Sequence, residues 1–292
     1  MKTPIVKALA SAILLCLPAT QIFASPAVPP SDTTRKPLLA AADEKQDAVI
    51  ILKEANVEFP DILAGNEKQS IDYIEKFSVS RKGYLMRTYN RSKKLFPKAA
   101  AILKKYNVPQ EFKILLALES GFNAEARSSA GAVGYWQIMD AVAKEYGLKI
   151  PVEKKVDKKK MAKADKKKHK TIPVAVDERK NFTRSTHAAA RYLKDRSRNL
   201  NNDWLLIAAS YNCGVGNVWN AMERSGKKNP TFWDIKNLLP AETRAYVMNF
   251  IAMNVVFNNY EKFSKNTLCF KPVTCKASDT ENFSLIGINA SL

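Results

Sequence analysis

From Asp47 onward, apolar residues recur at helical spacing. Ile71, Ile74 and Phe77 stand at three-residue steps, and Ala99 to Tyr106 repeats the pattern over a shorter stretch. Pro109 occupies a position that a first helical turn tolerates, and Gly121 is placed to close the helix that follows. Further helices are expected to begin near Asp140, Ser185, Asp203 and Thr231, whose side chains suit N-caps. The last long helix is expected to run from about Ala241 to Phe263. No convincing strand alternation precedes the tail, and no internal repeat is found. The pattern predicts an all-α fold.

The N-terminus has a different character. Lys2 and Lys7 flank a positive start, Ala8 to Leu17 is apolar, Pro18 interrupts it, and Ile22-Phe23-Ala24 offers a small residue before a cut. Residues 1–24 therefore read as an export signal, which places the mature chain in the periplasm or cell envelope. A membrane span needs about 20 apolar residues, more than this stretch has. Cys16 follows Leu14-Leu15 rather than a small residue, which argues against lipidation. Residues 25–45, with Pro26, Pro29, Pro30 and Pro37, read as a flexible linker. Residues 46–98 then form a helical extension, residues 99–262 a main domain, and residues 263–292 a short irregular tail.

Hydrophobic residues make up 46% of the 292 and charged residues 26%, the balance of a folded globular chain. Two His are too few for most His-rich metal sites, and no HExxH, GxxxxGK[ST], GxSxG or CxxC occurs. No metal or organic cofactor is expected. In an oxidising compartment Cys269 and Cys275, which bound a seven-residue segment, are expected to pair. Cys213 lies among small residues and reads as a buried, inert thiol. The formal net charge is +19. Part of it comes from an insert at 152–175, where Glu153 to Lys170 holds ten Lys against three acids. That run reads first as a solvated surface and second as a contact for a polyanion. It lacks aromatic residues, which, with the export signal, argues against nucleic acid.

The most informative stretch is Pro109 to Phe122. In a helix, Phe112, Leu115, Leu116 and Glu119 fall at i, i+3, i+4 and i+7, so Glu119 shares the apolar face. It also lies in the last turn, where the helix dipole is negative. Both effects disfavour the anion, and such burial raises a Glu from about 4.3 to roughly 6. Glu119 is thus a candidate proton donor, although a helix-end Glu reaching solvent fits the same spacing. Downstream, Ser128 to Met139 is a glycine-punctuated loop carrying Tyr135, Trp136 and Gln137. Gly131 and Gly134 allow close backbone approach to a ligand, and aromatic faces with an amide suit an N-acetylated sugar. Ala208 to Asn217 ends a second helix in a Gly-rich turn beside Tyr211 and Asn212.

Taken in order, these residues resemble the soluble lytic transglycosylase (SLT) domain, family 23 of the glycoside hydrolases. The resemblance rests on Glu119-Ser120, Ser128, the Gly-x-x-Gly-x-x-Gln ending at Gln137, Tyr-Asn-x-Gly at 211–214 and Glu-Thr-Arg-x-Tyr-Val at 242–247. It covers about Ala99 to Tyr260. It implies a lysozyme-like fold, akin to goose-type lysozyme, and cleavage of the MurNAc-β-1,4-GlcNAc bond of peptidoglycan with 1,6-anhydromuramoyl ends. It implies Glu119 as the single catalytic acid, then base. Ser120, Ser128, Gly134, Gln137, Met139, Tyr211 and Asn212 would line the sugar subsites, with the Tyr211 hydroxyl near Glu119 and Glu242 toward the stem peptide. The expected partner is the glycan strand, with peripheral association with the envelope and a monomeric chain. Four features depart from the family pattern: Asp140 replaces a Pro, Cys213 a small residue, the Lys-rich segment is inserted, and no LysM repeat is seen. A hydrolytic muramidase and a non-catalytic wall-binding protein are the competing readings.

Overall fold

The computed structural model describes residues 50–151 and 176–276, without the side chains of residues 50, 51, 275 and 276. The export signal, the linker and the Lys-rich run lie outside the described residues. The architecture is all-α. In chain order the helices are α1 (Glu67–Ser80), α2 (Lys82–Ser92), α3 (Phe96–Lys105), α4 (Leu115–Ser120), α5 (Asp140–Glu145) and α6 (Phe182–Asn199). They continue with α7 (Trp204–Cys213), α8 (Val215–Arg224), α9 (Phe232–Ile235), α10 (Ala241–Asn258) and α11 (Tyr260–Ser264).

Helix α10 is the axis of the core. Val247, Phe250, Ile251, Ala252, Met253, Val255 and Val256 are wholly buried, so the helix is apolar around most of its circumference. It packs against α1, α7 and α4. The N-terminal extension therefore shares the core of the main domain: Leu63, Ile74 and Leu85 belong to the same cluster as Phe112 and Phe250. The Tyr73 hydroxyl donates to Asn249 Oδ1 of α10 at 2.6 Å and fixes α1 against it.

Side-chain capping accounts for three of the eleven helix starts. Asp203 accepts from the Leu205 and Leu206 amides, and Thr231 with Asp234 forms a capping box. Helix α6 begins earlier than the expected Ser185, because Asn181 caps it by accepting from the Arg184 amide. Ser185 is fully buried, its hydroxyl donating to the Asn181 carbonyl at 2.7 Å.

Two segments differ from the sequence pattern. The expected helix from Ala241 to Phe263 breaks at Asn259. That buried amide donates to the Glu58 carbonyl at 2.7 Å and accepts from the Glu58 amide at 3.0 Å, a local alternative to helix continuation. After α11 the described chain continues to residue 276. Residues 273–276 form a strand, β2, antiparallel to β1 at 50–53, with Ile51 opposite Cys275. Asn56 supports the pairing through bonds with Thr267 and Cys269. Four-residue strands at the two edges of the described chain carry no alternation long enough to read in sequence. Cys269 is buried, its Sγ 2.9 Å from the Lys271 carbonyl. The Cys275 side chain, and with it the expected disulfide, falls outside the described atoms.

Candidate active site

The helix expected from Pro109 to Gly121 forms in two pieces. Residues 110–114 are a 3-10 helix and Leu115–Ser120 an α-helix, ended by Gly121 in the left-handed conformation at φ 56°. Phe112, Leu115 and Leu116 are fully buried, as their spacing requires. Glu119 stands on the edge of that face, half-buried in the last turn of α4. Burial drives its carboxyl up to about 7. A hydrogen bond from Tyr246 works against that rise, and the charge of Glu242 adds to it.

Tyr246 is the side chain that holds Glu119. Its hydroxyl donates to Glu119 Oε1 at 2.5 Å. Burial, together with the adjacent Glu119 carboxylate, pushes the phenol well above its ordinary range, so it stays a donor. Oε2 of Glu119 has no hydrogen-bond partner among the described residues. Tyr246 belongs to the 242–247 segment but stands out there only by lying one helical turn after Glu242. Tyr211, expected near Glu119, donates to the Trp136 carbonyl at 2.7 Å. Its phenol is buried and pushed up, with the Glu119 charge contributing. The two tyrosines thus divide the work: Tyr246 touches the acid, and Tyr211 ties α7 to the loop in front of it.

That loop is braced mostly by its own residues. Ser120 Oγ donates to the Tyr135 carbonyl at 2.9 Å, linking the end of α4 to the loop. Ser128 is exposed and accepts from the Ala132 amide at 3.0 Å, closing the turn around Gly131. Gln137 adopts φ 46°, and its amide donates to the Ala126 and Gly134 carbonyls at 3.1 and 3.0 Å. Met139 is 41% exposed and precedes α5. Asn212 Oδ1 accepts from the buried Thr243 hydroxyl at 2.8 Å, and Glu242 beside it is exposed.

Three readings of this region change. Trp136 offers no aromatic face to a sugar, because it is wholly buried with Nε1 donating to Thr186. Gly134 is approached by protein rather than by open space: a Cβ there would sit 2.2 Å from the Arg179 carbonyl oxygen, and its φ is +83°. Asp140 is tied to the loop by its charge. It pairs with Arg179, which also donates to the Ile138 carbonyl at 3.2 Å and pairs with Asp177 at 2.8 Å. Arg179 and Asp177 are buried, so a charged clamp carries the chain that returns at Val176 onto the loop at 134–140. Nothing in the local sequence marked Arg179, since its partners lie up to 41 residues away. Cys213 is half-buried rather than fully buried, and burial raises its thiol.

Among the described residues no cluster of three or more His, Cys, Asp or Glu is placed to hold a metal ion. Among them, also, no helix is long and apolar enough to cross a membrane.

An acid of raised affinity for its proton, held by one tyrosine at a helix end behind a braced glycine loop, defines a candidate acid–base site in an all-α domain. Residues 97–233 match the model of the family described as Transglycosylase SLT domain. Membrane-bound lytic murein transglycosylase D of Escherichia coli (strain K12) is 30% identical over 166 residues, which are 56% of this chain and 31% of that protein. The chain thus spans about a third of the length of the curated relative it matches. Among solved structures, an inactive mutant of the lytic transglycosylase Slt from Pseudomonas aeruginosa shares 19% identity at a TM-score of 0.43, covering 69% of this chain and 30% of that one. The 70 kDa soluble lytic transglycosylase of Escherichia coli shares 17% at 0.41, covering 74% and 39%.

Proposed function

We propose that the chain is a peptidoglycan lytic transglycosylase of the cell envelope, with Glu119 as its catalytic acid and base. The observation that carries this reading is the state of Glu119: a half-buried carboxyl at about 7, gripped at Oε1 by Tyr246. In the proposed reaction, Glu119 gives its proton to the glycosidic oxygen as the C1–O bond breaks, and GlcNAc leaves with a new hydroxyl. The resulting carboxylate takes the proton of the MurNAc C6 hydroxyl while that oxygen bonds to C1. One proton is donated and one recovered, and no water is consumed. The substrate's N-acetyl group supports the cationic centre, in place of the second carboxylate of a two-acid glycosidase. Ser120, Ser128, Gly134, Gln137, Met139, Tyr211 and Asn212 then shape the sugar subsites largely by holding the loop, and Glu242 faces the stem peptide.

The mass of the muropeptides released from purified sacculi tests the reaction type. Anhydro ends are expected, lighter by one water than reducing ends. Release of reducing ends alone makes the chain a hydrolytic muramidase, and no release at all leaves a wall-binding protein.

Burial sets the pH range and Tyr246 tempers it. A general acid must be protonated in the free enzyme, so kcat/KM is expected to fall as pH rises through about 7. The Tyr246 hydrogen bond lowers Glu119. Tyr246→Phe is therefore expected to move the alkaline limb to higher pH. A limb that stays in place, or moves down, rejects Tyr246 as the group that tunes the acid.

A further inference from the structure

A groove of about 610 Å³ is lined by residues of the N-terminal helices and of α4 and α10, the two helices that carry Glu119 and Tyr246. Its inner wall includes Leu118 and Ala245, the residues immediately before Glu119 and Tyr246. Its outer wall is α1 and the start of α2, with Lys76, Arg81 and Tyr84. These outer residues lie outside the 97–233 segment that matches the SLT domain.

The charge of the groove is one-sided. None of its ten lining residues is acidic, while Lys76 and Arg81 both reach it. The acids of α1 are drawn elsewhere. Asp72 and Glu75 both pair with Lys271 of the C-terminal segment, although Asp72 also feels Lys76. Among the described residues neither Lys76 nor Arg81 forms an ion pair. Both are exposed, and Tyr84 beside them is 39% exposed. Tyr73 and Phe77 stack along the floor with ring centroids 5.9 Å apart, and the Tyr73–Asn249 bond holds that floor on α10. Two unpaired cations over an aromatic floor suit a ligand with carboxylates and short aliphatic side chains.

Given the function proposed above, on which this step rests, we infer that the groove binds the carboxylates of the peptidoglycan stem peptide. In intact strands the glycan is uncharged apart from what the peptide carries, so a cationic groove on the helices that carry the acid suits the peptide and not the sugar. The N-terminal extension thereby becomes part of the substrate site and selects peptide-bearing strands.

The test compares intact sacculi with glycan strands from the same sacculi stripped of peptide by an amidase and then capped as the methylamide at the lactyl carboxylate that the amidase frees on each MurNAc. For the double variant Lys76→Ala/Arg81→Ala, the ratio of kcat/KM on intact strands to that on stripped strands is expected to fall roughly five- to thirtyfold, the worth of one to two charge-assisted contacts. Lys98→Ala, exposed on α3, controls for bulk charge. An unchanged ratio overturns the inference, and so does an equal fall with the control. A second readout does not depend on turnover. Glu119→Gln protein is expected to bind released stem peptides, more weakly as salt rises, and to lose them when their carboxylates are amidated. Equal binding of amidated and free peptides overturns the peptide site. An active Glu119→Gln enzyme would instead overturn the assignment of the acid and leave the peptide binding to be read separately.

Discussion

Glu119→Gln is expected to lower turnover on purified sacculi by at least about 10²–10⁴, the usual worth of a general acid, with the fold intact. Gln keeps the shape and the acceptor that Tyr246 needs but has no proton to exchange. The same substitution has a signature in stability. The folded carboxyl titrates at about 7, against 4.5 for the ordinary group, so the folded chain holds a proton that the unfolded chain releases in that window. A raised acid costs stability as pH climbs from 4.5 to 7 and costs nothing below it. Glu119→Gln is therefore expected to be more stable than the parent at pH 8, by up to about 3 kcal/mol, and equal to it at pH 4. Chemical denaturation at the two pH values checks this. Activity within tenfold of the parent would reject the assignment, and a stability difference independent of pH would reject the buried proton.

Arg179→Met is expected to destabilise the chain by about 3–5 kcal/mol at neutral pH, the cost of leaving a buried charge without its partner. Asp177 is the charge left behind, with 4% of its side chain exposed. Burial works to raise its carboxyl, but the hydrogen bonds and charge of Arg179 outweigh burial and hold it below the ordinary range. A depressed acid contributes stability above its unfolded value of 3.8 and loses it as pH falls through the folded one. The penalty of Arg179→Met should therefore shrink in acid, where Asp177 can protonate. The variant should also lose activity beyond its loss of stability, because Arg179 supports Ile138, Asp140 and the backbone against Gly134. A change below 1 kcal/mol by denaturation at pH 7 would remove the clamp from the account.

The site was legible where its logic is local. Phe112, Leu115, Leu116 and Glu119 share one helical face, so the burial of the acid follows from spacing within eight residues. Asp203 and Thr231 declared their helices in the same way, through side chains that satisfy amides two or three residues on. Tyr246 did not, because it reaches Glu119 across 127 residues. Trp136 was misread as a sugar platform because an aromatic in a loop looks the same whether it faces solvent or core. Only α6, which places Thr186 under its indole, decides between them.

The sequence by itself determined that the chain is helical, that an acid sits on an apolar face at a helix end, and that its glycine loop and Tyr-Asn turn follow in family order. These depend on contacts within a turn or two, which residue spacing encodes directly. The tertiary structure alone decided which tyrosine holds the acid, that Arg179 locks the loop, that the N-terminal helices close onto the core, and that residues 273–276 pair with 50–53. Those choices join residues tens to hundreds of positions apart, and one chain offers many equally plausible partners for each until packing of the common core around α10 selects among them.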